Sequence, residues 1–140
     1  MQDRFKFRLW DKAIGEMAYD VCVGFIKDGL REDWVCADTT CGQINYRDNK
    51  LKDIELMQCT GLKDKNGKLI YEGDILIQKE ENGGPTKKLV IWEKDGGYLG
   101  LKDLKKSFFG VVTFHRFGYT YQVIGNIYEN SELLEVSDEH

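Results

Sequence analysis

The chain has 140 residues, 41% of them hydrophobic, a formal net charge of −4 and one proline, Pro85. This length and apolar share allow one buried core or two small ones and exclude disorder of the whole chain. No Lys or Arg follows Arg116, and Glu129, Glu132, Glu135, Asp138 and Glu139 crowd the C-terminus. That balance disfavours a general phosphate-tracking surface and reads as a solvated acidic end. The opening Gln2-Asp3-Arg4 lacks a charged-then-apolar leader, and no apolar run approaches the roughly 18–20 residues of a membrane span. The expectation is a soluble, cytoplasmic protein with no membrane contact.

Phe5, Phe7 and Leu9 alternate with Lys6 and Arg8, as in a half-buried strand. Met17, Tyr19, Val21, Val23 and Phe25 alternate again, and Gly24 among them signals a bulge or a close backbone approach. Lys27-Asp28-Gly29 reads as a turn. Two short strands follow, Trp34–Ala37 and Gln43–Tyr46, then a turn at Asp48-Asn49 and a strand Ile54–Cys59. The spacing predicts an N-terminal β-meander over residues 1–59.

Beyond it, Asn66-Gly67 supplies the positive φ of a tight hairpin, and Gly61 and Gly73 punctuate the flanking apolar segments. A strand Glu72–Lys79 leads to the polar loop Glu80–Pro85, and Lys88–Trp92 returns from it. Asp95-Gly96-Gly97 turns into Tyr98–Leu101, and Asp103–Ser107 has room for one helical turn. Strands Gly110–Phe114 and Tyr119–Ile127 flank a turn at Arg116-Phe117-Gly118. A last helical turn, Ser131–Leu134, is expected to be capped by Asn130, with Glu132 near its N-terminus. Residues 60–140 thus read as a small SH3-like barrel or roll with an acidic tail, and the whole chain as mainly β.

The run Leu56-Met57-Gln58-Cys59-Thr60-Gly61-Leu62-Lys63-Asp64-Lys65-Asn66-Gly67-Lys68-Leu69-Ile70-Tyr71-Glu72-Gly73-Asp74-Ile75-Leu76-Ile77 resembles the signature of the YopX family of bacteriophage and prophage proteins. Phe5-Lys6-Phe7-Arg8-Leu9-Trp10-Asp11 resembles that family's opening block. Residues 121–134, with Val123-Ile124-Gly125-Asn126-Ile127-Tyr128-Glu129-Asn130, resemble its closing block, Ser131 standing where the family usually has proline. The resemblance implies a phage-type accessory protein and an SH3-like C-terminal part, and it names no reaction, ligand or cofactor. Residues 12–54 and 78–120 lie outside these blocks and are where a particular partner would be read. The signature residues Thr60, Gly61, Leu62, Asp64, Asn66, Gly67, Tyr71, Glu72, Gly73, Asp74, Ile124, Gly125, Asn126 and Tyr128 are expected to be structural.

Each chemistry-bearing group has a plainer reading beside it. Cys22, Cys36, Cys41 and Cys59 lack a Cys-x-x-Cys knuckle and read as reduced thiols rather than zinc ligands. His115 and His140 are the only histidines, too few for a His-based hydrolase site. Asp64, Glu72 and Asp74 could cluster for Mg²⁺ or acid–base work, but carboxylates that close turns look the same in sequence. Trp10, Trp34, Trp92, Tyr98, Phe108, Phe109, Phe114, Phe117, Tyr119 and Tyr121, near Lys87, Lys88, Lys94, Lys102, Lys105 and Lys106, could stack single-stranded nucleic acid or fill a core. The leading expectation is a non-enzymatic binding or self-associating module, a homo-oligomer or the partner of a host or phage protein. A nucleic-acid-binding module and a metal-dependent enzyme are the alternatives.

Overall fold

The computed structural model describes residues 5–27, 30–78, 86–93, 97–104, 112–113 and 121–135. Outside them lie the expected turns at residues 28–29, 95–96 and 116–118, the 80–85 loop, the helical turn 105–107, both histidines and the last five residues of the acidic end, 136–140. Phe108, Phe109, Phe114, Phe117 and Tyr119, with Lys94, Lys105 and Lys106, lie outside them too. The described residues are mainly β, with two short 3-10 turns, and they divide into a compact unit Phe5–Gln58 and a second that begins at Cys59.

In the N-terminal unit, β1 (Phe7–Asp11) lies between β2 (Glu16–Ala18) and the first half of β6 (Ile54–Lys63), with Leu9 opposite both Ala18 and Leu56. A separate antiparallel sheet runs β3 (Val21–Lys27), β4 (Leu30–Thr39), β5 (Gly42–Arg47). Alternation along these strands delivers Leu9, Ala18, Val35, Ala37, Tyr46 and Ile54 to one core, with Val21, Val23, Ile44 and Leu51 packed against it. The single strand expected from Met17 to Ile26 is two strands, because the chain leaves one sheet at Tyr19-Asp20 and enters another. The turn expected at Asp48-Asn49 is a 3-10 turn over Asp48–Asp53.

Gly24 fulfils both readings of its sequence signal. The β3–β4 register shifts between Gly24 and Ile26, and a Cβ on Gly24 would collide with the Trp34 indole lying over it. The polar face expected of β1 is not polar in its setting. Arg8 is only 2% exposed while Phe5, expected to point inward, is 57% exposed and precedes the strand.

In the C-terminal unit the second half of β6 pairs with β7 (Leu69–Tyr71), Lys63 opposite Leu69. A five-stranded sheet runs in the order β11 (Val112–Thr113), β10 (Tyr98–Asp103), β9 (Thr86–Glu93), β8 (Asp74–Gln78), β12 (Gln122–Asn126). All pairs are antiparallel. Ile70, Leu76, Val90, Leu101 and Val123 form its core, with Leu62 and Tyr121 at the margin.

Candidate functional site

The turn after β6 is built around Asp64. Its N–H bonds the Lys68 carbonyl at 2.8 Å and its carbonyl accepts from Gly67 N at 3.0 Å. This is a three-residue hairpin connection with Gly67 at φ +82°, rather than a two-residue turn centred on Asn66-Gly67. The carboxylate then fills the turn: Oδ1 accepts from Asn66 N and Lys68 N, each at 2.9 Å, and Oδ2 accepts from Val123 N at 2.9 Å. Burial works to raise the Asp64 pKa. The three amide donors, from Val123, Lys68 and Asn66, together with the Lys68 charge, outweigh it and hold the carboxyl below its ordinary range. Lys65 N also bonds the Tyr121 carbonyl at 2.9 Å, so two blocks far apart in sequence meet at one carboxylate.

The other signature residues do related work. Asp74, 1% exposed, accepts from Tyr71 N at 2.8 Å through Oδ2, across a turn in which Gly73 takes φ +88°. Gly73 itself bonds the Val90 carbonyl and accepts from Ile127 N. Thr60 Oγ1 donates to the Ile70 carbonyl at 2.8 Å and receives Leu62 N at 3.1 Å, next to Gly61 at φ +82°. Tyr71 is buried, and Glu72 and Tyr128 are half-buried. Asn126 Oδ1 accepts from Tyr128 N and Glu129 N, and its Nδ2 donates to Glu129 Oε1 at 2.8 Å.

The β12 register shifts between Val123 and Gly125, around Ile124, and a Cβ on Gly125 would sit 2.6 Å from Asn130 Oδ1. Asn130 corrects one expectation. Its side chain does not cap the Ser131–Leu134 turn; Oδ1 reaches back to Asn126 N at 3.2 Å, and the turn is closed by Leu133 N to the Asn130 carbonyl.

Asp64 and Asp74 thus accept main-chain N–H groups in turns. Among the described residues no three of His, Cys, Asp and Glu are placed to hold a metal ion. The lysines expected to flank a stacking platform are partly engaged as well. Lys87 Nζ donates to the Leu133 carbonyl at 3.1 Å, and Lys88 Nζ forms a largely buried ion pair with Asp103 at 3.0 Å. Trp92, on the same strand, is 44% exposed.

The sequence reading missed a further buried carboxylate, Asp11, in the N-terminal unit. Asp11 Oδ1 accepts from Ala13 N at 2.8 Å and Ile14 N at 3.3 Å, and Oδ2 accepts from the Tyr46 hydroxyl at 2.6 Å. Burial first, then the hydrogen bond to Asp11 and its charge, push the Tyr46 phenol above its ordinary pKa. The available signal was an aspartate ending a strand four residues before Gly15, which takes φ +67°. Two surface hollows lie in the same unit. One, of about 170 Å³, is lined by Asp11, Ala13, Ile44, Tyr46, Lys50 and Asp53. The other, about 210 Å³, is an apolar groove between Val23, Trp34, Leu51, Ile54 and Leu56.

Fold and signature together define a mainly β protein of two compact units, the second organised by backbone-capping polar residues. Residues 6–135 match the YopX protein family, and the chain belongs to that family. Among solved structures, protein EF1440 from Enterococcus faecalis is similar at 29% identity and a TM-score of 0.58, covering 93% of this chain and 97% of its own. Protein yopX from Bacillus subtilis is similar in fold, at 20% identity and a TM-score of 0.63, covering 96% and 99% respectively. No curated protein matches the chain significantly. No helix among the described residues is long and apolar enough to cross a membrane.

Proposed function

We propose that this chain is a non-enzymatic, phage-type accessory protein that works by binding protein, in the first instance a second copy of itself. The C-terminal unit, with its five strands curled as an SH3-like roll, serves as scaffold. The reading rests on one observation above all: the apolar groove between Val23, Trp34, Leu51, Ile54 and Leu56, where Leu56 stays 37% exposed. The groove adjoins β3, an edge strand of the β3-β4-β5 sheet, and edge strands invite pairing with another chain. The signature carboxylates support a non-catalytic reading because Asp64 and Asp74 are bonded to main-chain amides.

Light scattering over a dilution series tests this. The expected mass at high concentration is a multiple of the 16.2 kDa chain, falling on dilution. Leu56→Asp, checked for an unchanged melting temperature, should return the mass to one chain. A single-chain mass for the unaltered protein at all concentrations would defeat self-association and leave the groove to a foreign protein.

A further inference from the structure

Two of the four cysteines face each other across a strand pair. In the β3–β4 ladder Cys22 is directly opposite Cys36. The Asp38 N–H bonds the Asp20 carbonyl at 3.2 Å, and pairs alternate along an antiparallel ladder, so the Cys22–Cys36 pair is one of the hydrogen-bonded kind. The Cα atoms of such a pair lie about 5.5 Å apart, within the roughly 4.4–6.8 Å over which disulfides form.

Both thiols project from the same face of the sheet. It is the face opposite Val21, Val23, Val35 and Ala37, which belong to or pack on the core. Cys22 is exposed and Cys36 half-exposed, so a soluble oxidant reaches them. In a hydrogen-bonded pair the directly opposite Cβ atoms start near the wide end of the usual range, about 5.5 Å, and a disulfide draws them to about 3.8 Å. The movement falls on β3, which has a sheet neighbour on one side only and already shifts register between Gly24 and Ile26. A bond closed against such a ladder is strained and therefore readily reduced.

We propose that Cys22 and Cys36 are a redox-modification site that forms a reversible cross-strand disulfide, with a small-molecule disulfide such as oxidised glutathione as the oxidant. The exposed Cys22 thiolate attacks the oxidant's S–S bond, giving a mixed disulfide and releasing one thiolate. The Cys36 thiolate then attacks Cys22 Sγ and releases the second. The two cysteines lose two electrons and two protons. The oxidant's disulfide gains the electrons, and the released thiolates take up protons. Cys41 is also exposed but sits in the β4–β5 turn, and Cys59 is fully buried, so neither shares this opposition.

The experiment uses the full chain equilibrated with mixtures of oxidised and reduced glutathione, followed by thiol counting and peptide mapping. Titratable thiols should fall from four to two in protein that remains free of intermolecular cross-links, and excess reduced glutathione should restore them. In a Cys41→Ser background, tryptic peptide 13–27 should be joined to peptide 32–47, a link that can only be Cys22 to Cys36. Cys36→Ser should instead trap glutathione on Cys22. Retention of all four thiols in excess oxidised glutathione, a link through Cys41 or Cys59, or a glutathione adduct that persists on Cys22 of the unaltered protein would each overturn the proposal.

Discussion

Asp11 in the N-terminal unit and Asp64 in the C-terminal unit are both buried carboxylates at the end of a strand, and they are satisfied differently. Asp64 spends both oxygens on main-chain N–H groups, one of them from Val123, 59 residues away. Asp11 takes two local amides and one side chain, the Tyr46 hydroxyl. The first arrangement binds the course of the backbone, the second the identity of a distant residue. The C-terminal unit is thus organised by turns whose chemistry is written in the signature. The N-terminal unit carries on its surface the Trp34 groove and the facing Cys22 and Cys36.

The sharpest way to break this contrast is Asp64→Ala. It strands three amide donors, one of them the buried N–H of the core residue Val123, and should cost about 3–4 kcal/mol in urea unfolding. Asp64→Asn keeps one acceptor oxygen but turns an NH₂ toward an N–H donor, so about 2 kcal/mol is expected. An unfolding midpoint unchanged in Asp64→Ala would mean that this carboxylate does not hold the turn.

In the N-terminal unit the corresponding test is Gly24→Ala. The added methyl meets the rigid Trp34 indole rather than the end of a flexible chain, and a loss of about 2 kcal/mol should follow. Gly67→Val separates conformation from crowding, since nothing lies within 4 Å of a Cβ there while φ is +82°. The expected cost is about 1–2 kcal/mol, with Gly67→Asn costing less because asparagine tolerates the left-handed region. If valine and asparagine behaved alike, the strain attributed to this turn would be absent. Tyr46→Phe removes one hydrogen bond and leaves Asp11 its two amides, so about 1 kcal/mol is expected from thermal melts.

The two units should also mark opposite ends of the pH range, through smaller effects. The folded state holds Asp64 below its ordinary value of 3.8, so between the two values the unfolded chain binds more protons. The stability Asp64 contributes is present above that window and is lost as pH falls through it. Asp64→Asn should flatten the acid limb of a stability profile. Tyr46 is shifted the other way. The unfolded chain releases its phenolic proton from about pH 10 upward while the folded one keeps it, so this contribution is intact below that pH and is lost as pH rises. Tyr46→Phe should flatten the alkaline limb alone. An acid limb that responded to Tyr46→Phe would contradict the assignment.

Local signals carried much of this protein into view. Period-2 alternation marked strands near Phe7–Leu9 and Val21–Phe25, and the glycine at position 67 announced a turn because few other residues accept φ +82°. Gly24 could be recognised as a bulge or a close approach because a side chain missing from an alternating run forfeits packing, which a strand gives up where the backbone must bend or a neighbour must come near. The three family blocks identified the relationship, since their residues close turns and such chemistry acts over three or four positions.

Tertiary structure decided the rest. Alternation says that a segment has two faces but not which sheet it joins, so the break at Tyr19-Asp20, which sends β2 and β3 into different sheets, has no local signature. The same holds for Asp11 with Tyr46, for Asn130 turning back to Asn126, for the burial of Arg8, and for the register that sets Cys22 opposite Cys36. Each depends on which strands are neighbours, and strand partners are selected by the free energy of the assembled sheet and core rather than by the residues of either strand alone.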